Sequence, residues 1–385
     1  MAEQGVAKYL VPEIVFGHGV LSEVGHAARR LGAVRFMLVT DPGIIEAGWA
    51  GEAQEHLRAV GLDPVVWADV TPNPKDHEVA RGAEIYLERE CDGLVVVGGG
   101  SSIDAAKGVA VVVSNGGRIV DYEGIDRVTR PIPPIVAAPS TSGTGADVSQ
   151  FCVVTDTARH IKSTLIGRAL VPDISVTDPR LLHTMPDWLA ASTGLDALSH
   201  GIEAYVSRAA SFLTDGHALS AIRLVMENLQ VTLKEPEAVD ARIGMARASL
   251  SAGLAFTNAI LGATHAISHQ LGGATDLPHG VLNAILMPHV MRFNAERDPE
   301  RFVDVAQALG LSTRDMPATE AAEFAAEAVA ELATSVGTPK RLSELGVKRE
   351  DLPLYARTTL ADANMSTNPR DASAEDILGV LRAAY

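Results

Sequence analysis

The sequence predicts a two-part α/β protein, an N-terminal, mostly parallel sheet layered with helices and then an all-helical half. Three observations carry this. From about residue 6 to 183, short apolar runs alternate with amphipathic ones, the layering of an α/β domain. Some of these runs are continuous, such as Leu94-Val95-Val96-Val97, and a strand apolar on both sides is one covered on both faces, hence parallel. After Met185-Pro186, proline, glycine and β-branched residues thin out and long Ala/Leu-rich amphipathic segments take over. The break is expected near residues 183–187, dividing the chain into 1–184 and 185–385.

In chain order, strands are expected at Phe36–Thr40, Pro64–Trp67, Gly93–Val97, Ile135–Ala138, Phe151–Thr155 and Ile174–Thr177. Helices fall between the first four, for example Leu21–Leu31 and Trp49–Val60. Phe151 to Ile166, with Asp156-Thr157-Ala158-Arg159 at its middle, reads as a β-hairpin appended to that sheet. The second half is expected to be a bundle of helices at 187–207, 214–228, 241–256, 263–271, 282–294, 301–308, 318–336 and 374–384.

Composition narrows the function classes. At 385 residues with 47% hydrophobic content, the chain is globular and long enough for two domains. Its formal net charge of −16 argues against holding nucleic acid or anionic lipid by bulk attraction. The two cysteines, Cys91 and Cys152, sit in apolar runs and read as buried free thiols. No signal peptide and no apolar stretch of membrane-spanning length is apparent, so a cytoplasmic protein is expected.

Two loops of the first half suit a nucleotide. Gly98-Gly99-Gly100-Ser101 follows a buried strand and opens a helix, where free amides and the helix dipole favour a phosphate. Glycine in such a turn also has a purely steric explanation, and the G-x-G-x-x-G spacing is absent. Pro139-Ser140-Thr141-Ser142-Gly143-Thr144-Gly145 follows another strand; it is either a cofactor-binding loop or a solvated Ser/Thr turn. Asp41 ends an early strand and could accept from a ribose or merely start the next turn.

The second half holds a histidine cluster. His265 and His269 are four apart, so on a helix both rings project from one face, and His279 follows after Gly272-Gly273 and Pro278. Histidines satisfied in a helical core are the ordinary explanation. A second pair, Asp196 and His200, also four apart, tips the balance toward a divalent metal held by three imidazoles and one carboxylate.

Taken together, these motifs resemble the iron-containing (group III) alcohol dehydrogenases, nearly end to end. The resemblance runs through Phe16-Gly17-His18-Gly19, the glycine turn with Asp104 and Lys107, Pro139–Gly145 and Asp178-Pro179. It continues through the Asp196/His200 pair, the histidine run and Asn368-Pro369-Arg370. It implies an N-terminal dinucleotide domain, a C-terminal helical domain and an active site in the cleft between them. It implies Asp196, His200, His265 and His279 as ligands of Fe²⁺, with Zn²⁺ as the alternative, and His269 near the nicotinamide but off the metal. Implied cofactor contacts are Asp41, Asn73, Gly99, Gly100, Ser101, Thr141, Thr144, Ser149, Phe151, Lys162 and Leu181. An apolar substrate wall of Phe151, Phe256 and Leu261, with Asn364 as its polar member, goes with short alcohols or aldehydes. Members often dimerise through an N-terminal strand, for which Tyr9–Val15 stands here. One departure is Ala146-Asp147-Val148-Ser149, where the family often shows Ser-Glu-Val-Thr.

The expected reaction is reversible hydride transfer between an alcohol and NAD, with the metal as Lewis acid and His269 as proton relay. NAD is expected over NADP, because a 2′-phosphate near Asp41 would be repelled by about 1–4 kcal/mol per unit-charge pair. The rival readings are a zinc polyol dehydrogenase, a sugar-phosphate cyclase on the same fold, or a non-catalytic binding protein. The cyclase would need several cations for its substrate, and residues 241–280 offer only Arg242 and Arg247.

Overall fold

The computed structural model describes residues 8–235 and 237–385. The chain divides into two compact units, residues 11–185 and residues 186–385. Residues 8–10 group with the second unit, and Leu10 exchanges backbone hydrogen bonds with the Asn258 side chain there.

The first unit is built on β1 (Glu13–Phe16), β2 (Phe36–Val39), β3 (Val65–Trp67), β4 (Gly93–Gly98), β5 (Gly124–Ile125), β6 (Ile135–Pro139), β7 (Phe151–Asp156), β8 (Ile161–Ile166) and β9 (Ile174–Thr177). Its helices are α1 (Val24–Arg30), α2 (Pro42–Glu46), α3 (Trp49–Ala59), α4 (Asp76–Glu88) and α5 (Gly100–Asn115). Six strands form one parallel sheet in the order β1-β9-β6-β4-β2-β3. The continuous apolar runs are explained by two cores, one on each face. Met37, Val39, Leu94 and Val96 point into one; Phe36, Leu38, Val95 and Val97 point into the other.

One expectation needs correcting. The hairpin β7–β8 forms as read, with Phe151 opposite Ile166, but pairs with β5 in a separate three-stranded sheet rather than extending the main one. What fixes it is α5. Asp104 accepts from the Val153 amide, and the buried Lys107 ammonium donates to the carbonyls of Ser149 (2.9 Å) and Phe151 (2.7 Å). These contacts satisfy the start of β7 without a strand partner from the larger sheet. A first strand forms at Glu13–Phe16 and pairs with β9 of its own chain. Cys91 and Cys152 are buried free thiols.

The second unit is helical: α6 (Asp187–Val206), α7 (Phe212–Lys234), α8 (Val239–Ala259), α9 (Ala263–Thr275), α10 (His279–Ala295), α11 (Pro299–Ala308), α12 (Ala318–Ser335), α13 (Leu352–Thr359) and α14 (Ala374–Ala383). The short α13 lacks the length that makes a periodic pattern legible. Among the described residues no single helix is long and apolar enough to cross a membrane.

Candidate active site: a histidine–carboxylate cluster and the loops beyond the sheet

In the helical unit, α6 presents Asp196, His200 and Glu203 from one face, at i, i+4 and i+7. Helix α9 carries His265 and His269, and α10 begins at His279. The α10 start lies directly on α6: a Cβ at Gly280 would sit 2.2 Å from the Ser192 carbonyl oxygen, so only glycine permits this approach. Asp196, His265 and His279 thereby each bring one ligand atom within 4.8 Å of the others. His265 Nε2 lies 3.7 Å and His279 Nε2 3.8 Å from Asp196 Oδ1. His200 stands alongside, its Nδ1 4.0 Å from Asp196 Oδ2 and its ring stacked on His265 and Phe256.

The ring nitrogens are sorted by their partners. His265 Nδ1 donates to Glu203 Oε2 at 2.6 Å, which leaves Nε2 as the lone-pair nitrogen. Ser268 Oγ donates to the His265 carbonyl and lies 3.3 Å from His279 Nδ1, from which it can accept; Nε2 is again left as the acceptor. The amide nitrogen of Asn283, one turn after His279, sits among the three acceptors. It lies 2.8 Å from Asp196 Oδ1 and 3.1 Å from each Nε2, while its Oδ1 is buried without a hydrogen-bond partner. A positively polarised group therefore occupies the point on which three lone pairs converge. That donor set, hard carboxylate plus neutral imidazole, fits a divalent iron or zinc ion.

The charges agree. Burial alone would raise the Asp196 pKa, but His200, His265 and His279 hold it well below the ordinary carboxyl range. Burial would lower His265, yet Asp196 and Glu203 outweigh it and raise its pKa to about 9, so near neutral pH the metal-free ring also carries a proton at Nε2, and the lone pair there belongs to the neutral ring that a bound ion would select. His269 Nδ1 donates to Asp362 Oδ2 at 2.9 Å; burial would raise Asp362, and His269 with the Asn364 amides keeps it low. Asp362 Oδ1 also orients Asn364, whose own Oδ1 is buried without a partner. Leu261 and Phe256 are buried.

In the α/β unit, the strand order β3-β2-β4-β6-β9 reverses direction between β2 and β4, and ligands of open α/β sheets bind beyond the carboxyl ends of strands at such a switch point. Asp41 follows β2, and Gly99 caps α5 directly after β4. Ser102 Oγ donates to Asp41 Oδ2, joining the two loops, while Asp41 Oδ1 accepts from the Ile44 amide. Thr141 and Thr144, from the loop after β6, lie against Gly99 and Gly100, where added Cβ atoms would come within 3.0 and 2.6 Å of them. The Thr141 hydroxyl is buried with no partner. Asn73, at φ 56, donates nothing from its Oδ1 but accepts there from Lys162 Nζ at 2.8 Å, and its amide donates to Ser101 Oγ. Ser149 and Phe151 are held through their carbonyls by Lys107. Leu181 is buried in the apolar core on one face of the sheet.

Residues 12–179 match the model of the iron-containing alcohol dehydrogenases, and residues 190–385 match the C-terminal domain of the same family. The chain belongs to the iron-containing alcohol dehydrogenase family. It is 42% identical over 380 residues to a 1,3-propanediol dehydrogenase of Citrobacter freundii, covering 98% of both chains. It is 39% identical to an NAD-dependent methanol dehydrogenase of Bacillus methanolicus, over 98% of this chain and 99% of that one. A solved 1,3-propanediol oxidoreductase superposes with a TM-score of 0.96 at 40% identity, covering 99% of this chain and all of the other. As an alcohol dehydrogenase of this family, the protein interconverts alcohols and aldehydes.

Glu203, Asn283 and Asp362 are parts of the site that the motif did not indicate. Glu203 and Asn283 were within reach of helical spacing, being seven residues from Asp196 and four from His279. Asp362 lies 93 residues from its histidine and carries no local mark.

Proposed function

We propose that this alcohol dehydrogenase oxidises short, unbranched primary alcohols with NAD, and reduces the aldehydes in reverse, using Fe²⁺ held by Asp196, His200, His265 and His279. The observation that carries this reading is the convergence of Asp196 Oδ1 and the two Nε2 lone pairs on one point. Zn²⁺ suits the same donors and is the alternative. Bound there, the ion supplies Lewis acidity toward the substrate oxygen, and the nicotinamide supplies the hydride acceptor.

The chain's own groups do the rest. Asp362 holds the Nδ1 edge of His269, which leaves Nε2 as the atom that takes the alcohol proton toward water. Phe256 and Leu261 exclude water in the helical unit, and Phe151 is the proposed third member of that apolar wall. Asn364 is the proposed polar member of the substrate site, its Oδ1 having a hydrogen bond still to make. The cofactor contacts proposed are Asp41, Asn73, Gly99, Gly100, Ser101, Thr141, Thr144, Ser149, Phe151, Lys162 and Leu181. The loops after β2 and β4 lie where such a ligand is expected, and the Thr141 hydroxyl is a polar atom with a bond still to make. Asp41 faces the adenosine ribose and sets the preference for NAD. The protein acts in the cytoplasm as a homodimer or higher homo-oligomer, with the outer edge of β1 as an element available to a second copy.

The test is metal analysis of anaerobically purified protein, combined with a screen of short alcohols and aldehydes against both nicotinamide cofactors. Stoichiometric iron and turnover of propanol or butanol with NAD are expected. Faster turnover of a polyol than of either would refute the substrate assignment.

A further inference from the structure

The carboxylate of Glu203 is 2% exposed, and every hydrogen bond recorded to it comes from the start of α9. Oε1 accepts from the Thr264 amide at 2.7 Å; Oε2 accepts from the His265 amide at 3.4 Å and faces His265 Nδ1 at 2.6 Å. Two of these donors are backbone N–H groups and cannot change their proton. The third is an imidazole nitrogen, which carries a proton only in one tautomer.

We infer that Glu203 is a positioning residue that selects the tautomer of His265. By accepting at Nδ1 it keeps the Nε2 lone pair turned toward Asp196, ready for a metal ion; the inference rests on the metal site proposed above. The competing explanation is that Glu203 only caps α9. The structure offers a control for it, because a second buried side chain caps the same helix end. Asn368 Oδ1 accepts from the Ala263 amide at 3.0 Å without touching any imidazole.

Glu203→Gln separates the two roles. A glutamine offers one oxygen and one NH₂ where the carboxylate offers two oxygens. With NH₂ against the Thr264 amide, two fixed donors face each other at the 2.7 Å now spanned by a hydrogen bond. With NH₂ against His265 Nδ1, the clash is relieved by moving the ring proton to Nε2. The second arrangement is the accessible one, and it blocks the lone pair that would bind the ion.

Metal affinity is measured by competition with a chromogenic chelator, with Zn²⁺ in air and Fe²⁺ under anaerobic conditions. Histidine ¹⁵N shifts of the metal-free protein, recorded above about pH 9 where the His265 ring is neutral, report the tautomer. For Glu203→Gln, about 10- to 100-fold weaker binding of both ions is expected, with His265 protonated at Nε2. Asn368→Ala should lower Tm while leaving metal affinity within about threefold of wild type. If Glu203→Gln does not fold, Glu203→Asp keeps the carboxylate and should keep the Nδ1–H tautomer; an Nε2–H ring in that variant overturns the inference. So does a Glu203→Gln affinity within threefold of wild type, or an equal loss in Asn368→Ala. Wild-type protein that binds neither ion would overturn the metal-site reading and this inference together.

Discussion

Lys107 is a fully buried charge in the α/β unit, and replacing it tests how the loops proposed to hold the cofactor are supported. Its side chain is 0% exposed, and Nζ donates to the carbonyls of Ser149 and Phe151. Lys107→Met keeps the length of the side chain and removes the ammonium. Two buried carbonyls then lose a donor, at about 1–3 kcal/mol each. Asp104, three residues earlier on α5, loses its nearest opposing charge. The methionine regains some stability because no ammonium is desolvated, so a net loss of about 3–5 kcal/mol is expected, as for other broken buried pairs. For a unit of this size each kcal/mol moves Tm by about 2–4 °C, hence a drop of roughly 6–20 °C.

The loss should also depend on pH. Burial raises the Asp104 pKa to about 6, with Lys107 opposing. A carboxyl whose folded pKa is raised holds its proton better folded than unfolded, so its stabilising contribution is present below the unfolded pKa of about 3.9 and fades as pH rises through 6. Without Lys107 the ionised form is less tolerable, and the deficit of the variant should be larger at pH 8 than at pH 5. Thermal unfolding followed by circular dichroism at both pH values measures this, and KM for NAD should rise while metal content stays at the wild-type level. A Tm drop under 3 °C, or a deficit that shrinks with rising pH, would refute the reasoning.

Alanine at Asp196, His200, His265 or His279 should lower metal content and abolish turnover with NAD affinity nearly intact; full occupancy in His279→Ala would sink the four-ligand set. His269→Gln should retain the metal but slow turnover and change its pH dependence, whereas metal loss would make His269 a ligand. Asp41→Gly should relax the preference for NAD mainly by improving kcat/KM for NADP, by tenfold or more if repulsion of about 1.4 kcal/mol is removed. An unchanged cofactor ratio would leave Asp41 as the N-cap of α2, a role its bond to the Ile44 amide already gives it. In metal-free protein, His265 stabilises the fold while protonated. Its raised pKa makes that contribution full below about 6.5 and lost as pH rises through about 9, so apparent metal affinity, titrated from pH 7 to 9, should rise as the competing proton leaves.

What the sequence by itself determined follows from short-range geometry. Residues four apart on a helix share a face, so Asp196 with His200, and His265 with His269, were legible as paired groups before any fold was known. Continuous apolar runs marked strands covered on both faces, and both sheet cores bear that out in Met37, Val39, Phe36 and Leu38. The glycine turn and the Ser/Thr loop were visible as polar punctuation after strands. Only tertiary structure decided which of these groups meet. The hairpin pattern is the same whether β7 and β8 join the main sheet or a second one, and the choice is made by Lys107 and Asp104 reaching from α5. Nor does spacing say which nitrogen of an imidazole carries its proton. That is set by Glu203, 62 residues from His265, and by Asp362, 93 residues from His269, because hydrogen bonds between buried side chains depend on where helices pack and not on how far apart they lie in the chain.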